Sequence, residues 1–284
     1  MKQSQTNLRS RLTSTMVALL IAVLAIASAT YAWYIYNTER HTTKVRMAAG
    51  TSINLQISNE YNGTYGSAAV LDSFKGQLVP VSTNKITNGF QKVLEFAKGK
   101  NGQAPMVANI FGKSEMNNFY KTKLYLKATG GKMDIYLSNI GFEDSNENAP
   151  ISSAIRVGFV VHKLGKNAGV NKEYIFAISD KKNPQAQYNT ATGKDGYVLD
   201  STKTDGATIS FKPYTKSAYC DYNKNTGEVS LSQNSLNFCT ISNDQATQVD
   251  VYIWLEGCDA DCTVNLCSQT LKNLAISFAG VRKE

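Results

Sequence analysis

Tyr120-Lys121-Thr122-Lys123-Leu124-Tyr125-Leu126-Lys127-Ala128 alternates strictly, with Tyr120, Thr122, Leu124, Leu126 and Ala128 on one parity and Lys121, Lys123, Tyr125 and Lys127 on the other. A period of two puts these sets on opposite faces of an extended chain, so the stretch reads as a strand with one buried and one wetted face. Gly130-Gly131 then turns the chain into Met133-Asp134-Ile135-Tyr136-Leu137, a second alternating run, and the pair predicts a hairpin.

The same pattern recurs in Ile53–Ser58, Ile155/Val157/Phe159/Val161, Tyr174/Phe176/Ile178 and Ile209/Phe211. Val249/Val251/Ile253/Leu255 and Leu274/Ile276/Phe278 continue it. One stretch, Gly89 to Lys98, carries Phe90, Val93, Leu94 and Ala97 at helical spacing and predicts a short helix. About eight to ten strands with little helix predict an all-β fold, an antiparallel β-sandwich or jelly roll with one short helix and long surface loops. Asp180–Asp205, rich in Lys, Asn, Gly and Thr, is expected to be one of those loops.

The N-terminus has a different character. Lys2, Arg9 and Arg11 precede an unbroken apolar run from Met16 to Ala27, followed by Ser28-Ala29-Thr30-Tyr31-Ala32-Trp33. Twelve apolar residues fall short of the roughly 20 that span a bilayer, and small residues at Ala27/Ala29 and Thr30/Ala32 suit a signal peptidase. Residues 1–32 are therefore expected to be an export signal cut between Ala32 and Trp33. The alternative is a retained anchor, with the apolar stretch extended through the aromatics to Tyr36. With cleavage after Ala32, Trp33-Tyr34-Ile35-Tyr36 begins a segment, residues 33–50, of N-terminal strand plus polar tether, ahead of a single β domain over 51–284.

Charged residues make up 18% and apolar ones 42%, with fifteen Tyr and five Pro, which excludes a disordered polyelectrolyte. The net charge is +8; three of the thirty basic residues and no acid lie within residues 1–32, leaving +5 on the rest. Scattered lysines of this kind indicate a solvated face, and no nucleic-acid partner is expected.

All five cysteines, Cys220, Cys239, Cys258, Cys262 and Cys267, follow residue 219. Behind an export signal they read as disulfide material. Cys220 and Cys239 flank the turn Asn223–Gly227 and are expected to pair, for roughly 3 kcal/mol from loop closure. The C-x3-C-x4-C remainder allows one more bridge and a free thiol; zinc would need a fourth ligand.

Catalytic, cofactor and metal sites are not expected. His41 and His162 lack an H-E-x-x-H frame, no G-x-S-x-G elbow occurs, and Gly112-Lys113-Ser114 lacks the glycine a phosphate loop requires. A Cys239–His162 pair is the remaining nucleophile–base combination. Asp144–Asn148 opens like a calcium loop but has Ala149 where Gly is needed. Glu256, Asp259 and Asp261 read as solvated turn acids.

Thr30-Tyr31-Ala32-Trp33, a polar gap, Ala48-Ala49-Gly50-Thr51 leading into a strand, and the ending Val251-Tyr252-Ile253-Trp254-Leu255-Glu256-Gly257 with Asp259-Ala260-Asp261-Cys262 resemble the TasA/camelysin-like exported proteins. Leu78-Val79-Pro80-Val81-Ser82-Thr83 is similar to them too. These proteins carry an alternate (SipW-type) signal peptide in Gram-positive bacteria. The resemblance implies a secreted, cell-surface jelly-roll subunit of a biofilm matrix that forms fibres when Trp33–Tyr36 adds as a donor strand to a neighbouring subunit. It implies a homo-polymer as partner, with a cell-wall or anchor protein beside it, and membrane contact only through an uncleaved signal segment. A camelysin-type secreted metalloprotease and a monomeric adhesin binding glycans through exposed tyrosines are the alternatives.

Overall fold

The computed structural model describes residues 44–49, 54–71, 78–93, 96–97, 106–107, 118–143, 151–162, 172–178, 197–259, 261–262, 266 and 272–283. In chain order the first strands are β1 (Lys44–Ala49), β2 (Asn54–Ser58), β3 (Ala68–Val70), β4 (Pro80–Ser82), β5 (Gln91–Lys92), β6 (Phe96–Ala97) and β7 (Met106–Val107). Then come β8 (Tyr120–Thr129), β9 (Met133–Glu143), β10 (Ile155–Val161), β11 (Lys172–Ala177), β12 (Tyr197–Leu199) and β13 (Thr208–Ser210). The last are β14 (Asp221–Tyr222), β15 (Val229–Ser230), β16 (Asn237–Ile241), β17 (Thr247–Glu256) and β18 (Lys272–Arg282).

The fold is an all-β sandwich. One sheet has the order β16-β9-β18-β1-β3. In the other, β11-β10-β17 is continued by β8 and β2 along Thr247–Ile253 of β17 and by β4 and β5 at its Leu255–Glu256 end. Most ladders are antiparallel, but β1 runs parallel to β18 and β4 parallel to β17. Among the described residues the helical elements are short 3-10 turns, such as Ile86–Asn88 and Ile151–Ser153, and no helix is long and apolar enough to cross a membrane.

The inner faces of both sheets meet in one core. Leu124 and Leu126 of β8, Ile135 and Leu137 of β9, Val157 and Phe159 of β10, Val251 and Ile253 of β17, and Ile276 and Phe278 of β18 are buried together there. The alternation predicts these positions in β8, β10, β17 and β18, but it fails in β13, where Ile209 is 40% exposed. It changes parity in β9, where Leu137 and Ile140 both point inward, because the register to β18 shifts between Ser277 and Phe278. A bulge of one extra residue does this.

Three expectations are corrected. The β8–β9 hairpin does not form: β8 pairs with β17 and β2, while β9 pairs with β16 and β18 in the opposite sheet. Gly130 (φ 92°) and Gly131 (φ 155°) carry the chain across the sandwich, and their N–H groups both donate to Asn243 Oδ1, at 2.8 and 3.0 Å. The helix over Gly89–Lys98 is also absent. Gln91–Lys92 pairs with β4 and Phe96–Ala97 with β7, and Gly89 at φ 95° takes a backbone no helix accepts. Its helically spaced Phe90 and Val93 are buried in two different clusters. Within Asp180–Asp205, Tyr197–Leu199 is a strand paired with β13, and Val198 and Leu199 are buried; residues 180–196 lie outside the described set.

Thr42–Glu284 forms one compact unit, and its first strand begins at Lys44 rather than after Gly50. The Lys44–Arg46 stretch expected in the polar tether pairs with Ala275–Ser277 on one side and Ala68–Val70 on the other.

Candidate functional site

Ala32, Trp33, Tyr34, Ile35 and Tyr36, on which cleavage and strand donation rest, lie outside the described residues, as do His41, Gly112-Lys113-Ser114, Asp144–Asn148 and Cys267. What the structure places is the chain that follows them. β1 lies between β18 and β3, but its ladder to β3 stops at Arg46 while that to β18 runs on to Ala49. Among the described residues, Met47–Ala49 are thus laddered on one side only.

Cys220, Cys239 and Cys258 are free thiols, all three buried. The expected Cys220–Cys239 bridge is corrected by the faces of the sheet. Cys239 pairs with Ile135 and is buried in the central core. Cys220 packs with Tyr136 and Ala279 on the outer face of the same sheet, beneath Tyr222 and Val229 of the β14–β15 ribbon. Burial pushes Cys220 up to about 11 and Cys239 to about 12, and raises Cys258 as well, so all three are poor nucleophiles at neutral pH. Cys239 is also separated from His162, whose Nε2 lies 3.4 Å from Asp250 Oδ1 on the outer side of the other sheet. No group of three or more metal-ligating side chains occurs among the described residues.

Two of the turn acids are not solvated. Glu256 and Asp259 are 1% and 2% exposed, and they face Arg156, itself 1% exposed on the outer side of β10. Arg156 Nη2 donates to Asp259 Oδ2 at 2.6 Å and Nη1 to the Ile155 carbonyl at 3.0 Å. Glu256 accepts from Trp254 Nε1 and from the Cys258 N–H, both at 3.1 Å, and from Ser82. Burial raises the Glu256 pKa against the opposing pull of Arg156. The Asp261 N–H donates to Asp259 Oδ1 at 3.0 Å. This cluster fixes the turn after β17. The signal for it was Arg156 itself, one charge inside the apolar run Ile155–Val161, which demands a buried partner.

The odd-numbered residues of β8 form the second polar group. Lys121, Lys123, Tyr125 and Lys127 lie on the outer face, opposite Tyr252, Asp250 and Gln248 of β17 and Gln56 of β2. Asp250 accepts from Gln248 Nε2 at 2.7 Å and lies 3.6 Å from Lys121 Nζ. Partial burial acts to lower Lys121, but bonds to Tyr252 and Asp250 outweigh it and hold its pKa above the usual value. Tyr61 meets Tyr125 edge-on, with centroids 5.7 Å apart at 72°, and Lys127 Nζ lies 5.7 Å from the Tyr65 ring. Farther along the same face, Ile86, Phe90 and Phe119 cover Trp254, with Phe90 and Phe119 stacked at 4.2 Å. The apolar lid thus ends at Tyr252 and the Lys/Tyr rows lie beyond it.

No protein-family model, curated protein or solved structure matches the chain.

Proposed function

We propose that this is an exported cell-surface or extracellular-matrix structural protein, which self-assembles when Trp33–Tyr36 of one subunit adds as a strand to the sheet of the next. The observation that carries this reading is the half-open ladder of β1. Backbone N–H and C=O groups along an unpaired edge accept an extended segment, and alternate side chains of that segment gain burial. Residues 37–43 between Tyr36 and β1 span at most roughly 25 Å when extended, enough to carry the aromatic segment beyond its own sheet. In water, Trp33 and Ile35 on one face of that segment and Tyr34 and Tyr36 on the other favour a partner surface.

Deleting Trp33–Tyr36 from the full chain tests the proposal. Filaments in negative stain and concentration-dependent size should vanish while the β-type circular dichroism persists. Filaments built by the deleted form sink the donor-strand mechanism, and loss of fold shows that the segment completes its own domain instead.

A further inference from the structure

The acid at the end of β17 has bonds of a different kind from the ion pair beside it. Glu256 is 1% exposed, and the groups that donate to it are neutral: the Trp254 indole and the Cys258 N–H, each at 3.1 Å, and the Ser82 hydroxyl. Arg156 is the cation that faces it, but the guanidinium bonds elsewhere, through Nη2 to Asp259 at 2.6 Å and through Nη1 to the Ile155 carbonyl at 3.0 Å. A carboxylate sealed from water among neutral donors is costly, whereas a carboxyl is not, provided that its proton meets an acceptor. Ser82 Oγ and Cys258 Sγ are both in hydrogen-bond contact with Glu256 and can accept.

We propose that Glu256 carries a proton at neutral pH and acts as an alkali-released latch, which pins the turn after β17 and its Cys258 onto β4 and β12. The latch joins several elements at one point. Ser82 closes β4 and accepts the Leu199 N–H of β12 at 3.1 Å, while the Asp259 N–H returns to the Glu256 carbonyl at 3.1 Å. Among the described residues, the charged and titratable groups facing Glu256 are Arg156 from β10 and Cys258 and Asp259 from the turn; β4, β12 and β17 present Ser82, Leu199 and Trp254, which do not titrate. Burial is the largest influence on Glu256 and raises its pKa above the ordinary 4.5, against the pull of Arg156. Stability from a group raised in the folded state is complete below the unfolded value and is lost as pH rises through the folded one. Loss of the proton places a second buried anion beside Asp259 and takes the donor from Ser82 or Cys258.

Infrared difference spectra of the full chain in water and heavy water test the proposal. At neutral pH, where exposed carboxyls are ionised, a protonated-carboxyl band should be present, vanish in alkali and be missing from Glu256→Gln. The Gln variant replaces one accepting oxygen by an amide nitrogen at every pH, but it cannot ionise. In urea unfolding from about pH 6 to about pH 9, the folding constant of the parent should therefore fall at least about tenfold more than that of the variant. The Cys258 and Leu199 amides should lose hydrogen-exchange protection over the same range in the parent alone. Absence of the band from the parent at neutral pH, its persistence in Glu256→Gln, or a variant weakened by the same factor at both pH values overturns the proposal. The first of these outcomes is read on the parent and requires no variant to fold.

Discussion

Arg156 Nη2 lies 2.6 Å from Asp259 Oδ2, an ion pair between β10, the strand flanked by β11 and β17, and the turn after β17, closed off from solvent on both sides. Removing one member leaves an uncompensated charge, at a cost of about 3–5 kcal/mol. Arg156→Met strands two buried acids and should sit at the upper end of that range; Asp259→Asn should cost less. In a double-mutant cycle by urea unfolding the two should couple by at least about 1 kcal/mol. Additive effects would mean that the pair is not a unit.

Close approach at β10 gives a second expectation. A Cβ on Gly158 would come within 2.5 Å of Ile86 Cδ1 and 2.8 Å of Trp254 Cζ3, in a layer where both neighbours are themselves buried. Gly158→Ala should therefore destabilise by about 1–3 kcal/mol through overpacking. At Gly66 the nearest atom to an added Cβ is the Ala68 carbonyl at 3.8 Å, and Gly66→Ala should fall within about 0.5 kcal/mol of the parent. Equal effects at the two positions would contradict the packing described.

The thiols make a chemical prediction. Native protein treated with iodoacetamide at neutral pH should remain unlabelled at Cys220, Cys239 and Cys258, and guanidinium should release all three for labelling. Mapping without reduction distinguishes this from a bridge, because a Cys220–Cys239 linked peptide would place both sulfurs on one side of the sheet.

Asp134 titrates in the opposite sense to the buried Glu256. Its burial acts to raise the pKa, but bonds from Thr240, Asn237 and Lys283 outweigh this and lower it below the ordinary 3.8; Lys283 Nζ stands 3.3 Å from Oδ2. A carboxylate depressed in the folded state stabilises above its unfolded value, and that stability is lost as pH falls through the folded value. Asp134→Asn should thus melt lower than the parent at pH 7, with the difference shrinking as pH falls below 3.8. A gap that stays constant down to acid pH would show that the charge contributes nothing.

The alternation of Tyr120–Ala128 was enough to assign which residues face the core, because side-chain direction in a strand is set by parity alone. Its partner was not legible. Gly130-Gly131 suits a hairpin and a crossover between sheets equally, and the choice is made by Asn243, more than a hundred residues away. Phe90, Val93, Leu94 and Ala97 mimic a helix over too few turns to outweigh the ladder that β4 offers. The cysteine spacing gave the separation along the chain but not the face of the sheet, which is what decides whether two sulfurs meet. Glu256 and Asp259 look like solvated turn residues until Arg156 is brought beneath them.

The pairing of Lys44–Ala49 with Ala275–Gly280 joins segments separated by nearly the whole domain. Such a contact carries the full loop-closure penalty and cannot form early. During synthesis β1 therefore emerges long before its principal partner exists, and the five-stranded sheet stays open until β18 has left the ribosome. Closure of the sandwich therefore waits on the synthesis of β18, whatever order the other ladders form in.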